Sequence, residues 1–149
     1  MQKKQYRIDI HASAEKVSNT MIGKETYRQW TAAFNATSDF EGGWNTGDKI
    51  CFTGVGKEGK REGMVAVIEQ HLPNKYISIK HLGILDGDKE IMEGPAVEAW
   101  AGAHENYSFD EQNGITTVRV DIDTEAQYLD YFDETWPKAL KKLKELSEA

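Results

Sequence analysis

The C-terminal end of the chain carries one apolar stripe that is long enough to require a sheet beneath it. Thr124-Glu-Ala-Gln127 has the form of a capping box, so we predict one helix over about 125–146. A helix of about 20 residues is roughly 30 Å long, which is enough to cross a whole sheet. The stripe repeats every three or four positions, at Leu129, Phe132, Trp136, Leu140, Leu143 and Leu146.

The segment before this helix alternates apolar and polar residues with a period of two, which is typical of strands. Two short helices, over Ala14–Ile22 and 25–34, are predicted after the first strand, with Ser13 as the N-cap of the first. We therefore predict an α+β fold in which a seven-stranded curved antiparallel sheet holds the C-terminal helix across its concave face. The predicted strands cover 4–11, 37–43, 48–54, 62–71, 75–82, 104–111 and 115–123.

Residues 83–103 interrupt the series of strands. The part from Gly83 to Gly94 has the composition of a loop, and Pro95–Ala101 is predicted to form one or two helical turns. A glycine-bounded segment of this length is too long for an ordinary connection, and such segments are often lids. We therefore predict that it forms a movable entrance to the space between sheet and helix.

Composition limits the function classes. The chain has 149 residues, the size of one domain, so we predict a single domain over 1–149. Its net charge of −7 argues against a nucleic-acid partner. No apolar run is long enough for membrane insertion, and the alternating N-terminal residues do not resemble a signal peptide. With Cys51 as the only cysteine, a reduced, cytoplasmic location is expected for a soluble protein.

Motifs that carry chemistry are sparse. Gly54–Gly59 matches G-x-G-x-x-G, but residues 60–68 alternate like a strand, so we predict a hairpin tip and no nucleotide site. Cys51 is predicted to be an inert, buried thiol. No catalytic residue and no cofactor is predicted, because no nucleophile motif is present. No metal site is predicted either, because the four histidines are scattered and lack the spacing of metal ligands: His11, His71, His81 and His104.

The concave face of the sheet is predicted to enclose an apolar cavity of ligand size. Large rings occur on almost every element, and strand phase places apolar residues on one face. Glu105 and His81 share that face, where ionisable groups are costly and often functional; a position in water at the strand ends is the alternative. The predicted ligand-binding residues are Trp30, Phe34, Phe52, Met64, Ile68, Ile77, Ile79, His81, Glu105, Tyr107, Phe109, Trp136 and Leu140.

Five segments stand in an order and spacing typical of a known family: Ala12-Ser-Ala-Glu-Lys-Val17, Thr26-Tyr-Arg-Gln-Trp30, Phe40-Glu-Gly-Gly-Trp-Asn-Thr-Gly-Asp-Lys-Ile50, Trp100-Ala-Gly-Ala-His-Glu-Asn-Tyr-Ser-Phe109 and Trp136-Pro-Lys-Ala-Leu-Lys-Lys-Leu143. Together they resemble the SRPBCC superfamily, and within it the homologues of the heat-shock-chaperone ATPase activator. The resemblance implies the START-like, birch-pollen-allergen-like helix-grip fold. It also implies a hydrophobic cavity, a ligand that varies between members, and no universal catalytic residue.

Three functions follow as hypotheses. The first is a binding module for an apolar or amphipathic small molecule, held between the sheet and the C-terminal helix. The second is an enzyme that uses Glu105 or His81 in acid–base chemistry on such a molecule, as in the cyclases and hydrolases of the superfamily. The third is a chaperone or another protein partner; the eukaryotic activator contacts its chaperone through an additional N-terminal domain, so chaperone activation is not expected of this chain.

Overall fold

The computed structural model describes residues 1–149 and contains eight strands and four α-helices. Single 3-10 turns lie at Thr31–Ala33 and Ala126–Tyr128. None of the helices has the length and apolarity that a membrane crossing needs. In chain order the elements are β1 (Gln2–Ile10), α1 (Ala14–Ile22), α2 (Lys24–Trp30), β2 (Asp39–Gly42), β3 (Lys49–Val55), β4 (Arg61–Leu72), β5 (Tyr76–Asp86), β6 (Lys89–Ile91), α3 (Pro95–Glu98), β7 (His104–Gln112), β8 (Ile115–Thr124) and α4 (Leu129–Glu148).

All strands pair antiparallel in one sheet with the order β1-β8-β7-β5-β4-β3-β2. The predicted α+β helix-grip architecture is confirmed, with one strand more than predicted. β5 pairs with β7 along its first half and with the short β6 along its second half. The same side of β5 is therefore covered by two different strands.

Two irregularities bend the pair β4–β5. The register shifts between Val65 and Ala66, where Leu82 is the extra residue, and again between Ile68 and Gln70. An extra residue in one strand increases the local twist and bends the strand. The bends curve the sheet. Because Leu82 is an extra residue, the alternation of faces shifts by one position, and Ile84 lies on the same concave face as His81.

The two short helices form where local signals predicted them. The Ser13 hydroxyl accepts a hydrogen bond from the backbone N–H of Lys16 at 3.1 Å, as an N-cap does. Gly23 ends α1 and precedes α2. The indole Nε1 of Trp30 donates to the carbonyl oxygen of Met21 at 2.9 Å, which ties α2 to α1 in the core.

The apolar stripe of α4 is buried along its second half. Trp136, Ala139, Leu140 and Leu143 are at most 3% exposed, whereas Phe132 is half-buried. The predicted capping box does not form. Thr124 is still paired with Gln2 in the sheet, so the chain makes a 3-10 turn before it enters the helix.

The region predicted as a loop contains a hairpin. β5 continues to Asp86, turns at Gly87 with φ +63°, and returns as β6. The prediction of a loop over Gly83–Gly94 is wrong for this part, because residues 84–86 pair with residues 89–91 around the two-residue turn Gly87-Asp88. The helical turn predicted near Pro95 is present as α3.

The glycine motif and the Asn-Gly turn both behave as predicted. Gly54–Gly59 spans the end of β3 and the tip of the β3–β4 hairpin, and no helix follows it. Asn113 and Gly114 adopt φ values of +54° and +79°, which a type I′ turn requires. The glycine motif therefore lacks the helix N-terminus that a dinucleotide site needs.

Candidate functional site

A cavity of about 660 Å³ lies between the concave face of the sheet and the N-terminal part of α4. Its wall contains 22 residues, of which 14 are hydrophobic, so it is predominantly apolar. Tyr128 and Tyr131 are 48% and 46% exposed and mark its outer edge. α1, α2 and the second half of α4 fill the rest of the concave face with core side chains.

The structure places most of the predicted ligand-binding residues in this wall. Strands β3, β4, β5 and β7 contribute five of them, and the helical segments contribute the others. The residues that line the cavity are Trp30, Phe34, Phe52, Met64, His81, Glu105, Tyr107 and Trp136.

Five predicted residues lie outside the wall, so the prediction that they line the cavity is wrong. Strand phase put four of them on the concave face, but helices cover that part of the face, and Leu140 lies on the buried second half of α4. All five pack in the solid core. They are at most 6% exposed: Ile68, Ile77, Ile79, Phe109 and Leu140.

Other wall residues were missed by the sequence reasoning. Tyr128, Tyr131 and Phe132 have the spacing of one helical face and were available as a signal. Ile84 was missed because Gly83–Gly94 was predicted as a loop, whereas β5 continues past a bulge at Leu82 to Asp86. The missed residues are Tyr27, Thr31, Glu62, Ile84, Trp100, Ala103, His104, Ile122, Asp123, Thr124, Glu125, Tyr128, Tyr131 and Phe132.

Three polar side chains meet inside the cavity. β5 and β7 are neighbours, with Ile79 opposite Glu105, and this register brings His81 beside Glu105. The His81 Nε2 atom lies 3.2 Å from Glu105 Oε1. The Tyr107 hydroxyl donates a hydrogen bond to the other carboxylate oxygen of Glu105. The sequence left open whether Glu105 and His81 face the cavity; the structure places both in its wall.

The protonation of this group follows from its geometry. Burial and the charge of Glu105 raise the pKa of Tyr107 well above its ordinary value, so the phenol keeps its proton and donates. When Glu105 is ionised it only accepts, and the hydrogen in its contact with His81 is then carried by His81 Nε2. His81 Nδ1 is buried and has no hydrogen-bond partner.

The segment 83–103 supplies one side of the wall through Ile84, Trp100 and Ala103. Backbone hydrogen bonds fix its end, because His81 N–H donates to the Ala103 carbonyl and Gly102 N–H donates to the His81 carbonyl, both at 2.9 Å. The polar group and this part of the wall are therefore held by one strand. Movement of the segment stays a prediction.

Alternative site chemistry has little support. No three His, Cys, Asp or Glu side chains are grouped so that they could hold a metal ion. Cys51 is half-buried on β3 and does not line the cavity. Burial, with the charge of Glu90 next, raises the pKa of the Cys51 thiol, which opposes formation of a nucleophilic thiolate.

Solved structures with this fold come from several bacteria. The Aha1 dimer from Colwellia psychrerythraea is 22% identical with a TM-score of 0.74, covering 99% of this chain and 97% of that chain. Protein MLL2253 from Mesorhizobium loti is 12% identical with a TM-score of 0.71, covering 97% and 96%. CalU16 from Micromonospora echinospora is 14% identical with a TM-score of 0.66, covering 97% and 75%.

At these identities the comparisons show that the fold is shared, and they carry no conclusion about activity. No protein-family model and no curated protein matches the chain. Function must therefore be argued from the cavity itself.

Proposed function

We propose that this chain binds one apolar or amphipathic small molecule in the cavity between the sheet and α4. The observation that carries the proposal is the cavity itself. Its volume of about 660 Å³ falls in the range of ligand sites, roughly 300–1,000 Å³. Apolar walls with a few convergent polar groups are typical of such sites. The apolar body of the ligand lies against the aromatic wall, and its polar end faces Glu105 and His81.

The similarity to known structures supports the family resemblance seen in the sequence. We infer that the chain is a member of the SRPBCC superfamily related to the ATPase-activator homologues, on the five sequence segments and the fold shared with the Aha1 dimer. Ligands differ between members of this superfamily, so the ligand of this chain would be set by the aromatic residues that line its cavity.

The test is titration with an uncharged apolar fluorophore, N-phenyl-1-naphthylamine. We expect probe emission to rise and saturate near one probe per chain, with quenching of tryptophan emission, because Trp30, Trp100 and Trp136 line the cavity. Met64→Trp places a larger ring in the wall and should reduce binding at least about tenfold.

A matched variant separates blocking from a general effect of an added tryptophan. Val55→Trp adds the same ring on β3, at a residue that is 44% exposed and outside the cavity wall, and should bind the probe like the wild type. Circular dichroism checks that both variants are folded. Absence of saturable binding to the wild type, or equal binding by both folded variants, refutes the proposal.

A second candidate function is favoured by one specific contact. The 3.2 Å approach of His81 to Glu105 inside the cavity is the arrangement in which a carboxylate orients an imidazole for general acid–base catalysis. A panel of uncharged naphthyl esters and lactones tests it by release of the fluorescent product. Turnover lost in His81→Gln and kept in the exposed control His11→Gln would support an enzyme; no turnover above buffer would exclude hydrolysis of these substrates.

A further inference from the structure

The ionisable residues of the cavity wall are strongly unbalanced in sign. None of the 22 wall residues is a lysine or an arginine. Two histidines are the only residues in the wall that could carry positive charge. Four residues of the wall are acidic: Glu62, Glu105, Asp123 and Glu125.

Most of this negative charge has no cationic partner in the protein. Asp123 is neutralised by Lys3, whose Nζ lies 2.8 Å from its Oδ1. Glu62 is exposed and forms no ion pair. Half-buried Glu125 accepts a hydrogen bond only from the Gln127 amide, and Glu105 contacts only His81 and the Tyr107 hydroxyl. A charge in a partly dry cavity is costly unless an opposite charge pairs with it.

The histidines do not offer a free positive site to an anion. The Nε2 atom of His81 is directed at Glu105, and the Nε2 atom of His104 lies 3.0 Å from Glu69. An anionic ligand would therefore enter next to unpaired carboxylates and find no guanidinium or ammonium group. The wall disfavours fatty acids and other anionic amphiphiles.

The aromatic lining favours a cation for a separate reason. Ten aromatic side chains line the cavity. Tyr107 donates a hydrogen bond to the carboxylate of Glu105, and burial, with the charge of Glu105 next, raises the pKa of Tyr27. The faces of such rings carry negative potential and attract ammonium groups, most strongly where water is excluded. A wall of carboxylates and aromatic rings therefore favours a positively charged group attached to an apolar body.

From this wall we infer that the ligand is a cationic amphiphile, a protonated amine or a quaternary ammonium compound, with its charged group at Glu105. The inference rests on the proposed function, because it specifies the ligand class of the same cavity. The side chain of Glu105 is 23% exposed, and Tyr128 and Tyr131 mark the outer edge of the cavity, so the apolar body extends outward along α4.

Three probes with one apolar body separate charge from shape. 1-Naphthylmethylamine, 1-naphthalenemethanol and 1-naphthoate are titrated into the protein by calorimetry at pH 7 and low ionic strength. We expect the amine to bind at least about tenfold tighter than the alcohol, and the carboxylate to bind most weakly. The preference for the amine should shrink as salt is added, because the carboxylates at the rim are screened.

Single charge removals locate the effect. Glu105→Gln should weaken amine binding about tenfold while alcohol binding stays within about twofold. Glu125→Gln, closer to the exposed Tyr128 edge, should weaken it by a smaller factor and keeps the test valid if Glu105→Gln fails to fold. Glu58→Gln removes the same net charge at the exposed β3–β4 hairpin, outside the cavity wall, and should change nothing.

The outcomes distinguish the two proposals. If none of the three probes binds, both the proposed function and this inference fail. If the alcohol binds and the amine binds no tighter, or the carboxylate binds as well as the amine, the charge inference is overturned and the apolar cavity function stands. A preference for the amine that survives unchanged in folded Glu105→Gln and Glu125→Gln also overturns the inference.

Discussion

Replacement of Trp136 tests how α4 is held on the sheet. The side chain is 3% exposed, and its ring lies 4.9 Å from Phe34, 5.9 Å from Trp30, 6.1 Å from Tyr6 and 6.4 Å from Tyr107, measured between ring centroids. Trp136→Ala removes all four contacts and enlarges the cavity. Emptying a buried aromatic site costs about 3–5 kcal/mol, and we expect a loss of about 4 kcal/mol in the free energy of unfolding.

The indole N–H of Trp136 makes a sharper comparison possible. Its Nε1 atom is buried and has no hydrogen-bond partner, a situation that costs roughly 1–3 kcal/mol. Trp136→Phe keeps a ring in the site and removes the unpartnered donor. Lost ring area and the relieved donor offset each other, so this variant should stay within about 1 kcal/mol of the wild type.

Urea unfolding followed by circular dichroism measures both variants. With a slope of about 2 kcal/mol per M, the alanine variant should unfold at a urea concentration about 2 M lower. Tyr131→Ala, on the same helix at a residue that is 46% exposed, should shift the midpoint by no more than about 0.5 M. The reasoning is refuted if Trp136→Ala barely moves the midpoint, or if Trp136→Phe is as unstable as Trp136→Ala.

Two further predictions concern a glycine and an acid. A Cβ on Gly63 would lie 1.8 Å from the Phe52 carbonyl oxygen, so Gly63→Ala should lower the free energy of unfolding by more than about 2 kcal/mol. Gly59 has open space around it at φ +74°, so Gly59→Ala should lower it by only about 1 kcal/mol. Equal losses in urea unfolding would contradict this. Desolvation opposes ionisation of Asp39, but ionic hydrogen bonds, first from Arg28, lower its pKa from 3.8 to about 2. Its stabilisation, about 1 kcal/mol after solvent screening, is present above pH 4 and lost as the pH falls toward 2. Asp39→Asn should remove that part of the decline in thermal midpoint, and an unchanged decline would contradict the assignment.

Local signals predicted most of the fold because each has a short-range cause. Ser13 begins α1 and Gly23 ends it through hydrogen bonds to backbone groups within four residues, and Asn113 sets its turn through its own φ angle. The strand β6 was missed although Asp86-Gly87 is a hairpin signal, since β6 has only three residues and lies inside a glycine-rich segment. The absence of a capping box at Thr124 depends on pairing with β1, which is distant in sequence.

The sequence predicted which face of the sheet carries the candidate site, but it did not predict how far the cavity extends along that face. A period of two correctly placed Ile77, Ile79 and His81 on one face of β5, yet only His81 reaches the cavity. What separates them is the position of the helices over the sheet, a tertiary property that strand phase does not contain. The contact between His81 and Glu105 likewise depends on the register of β5 against β7.

The two halves of α4 differ in what their side chains contact. Leu140 and Leu143 are buried in the core, Tyr131 and Phe132 line the cavity from the first turns of the same helix, and Trp136 does both. Substitutions in those first turns should therefore alter the shape of the cavity at a smaller loss of stability than substitutions in the second half. Under the proposed function, the ligand preference of this fold could then be changed in variants that still fold.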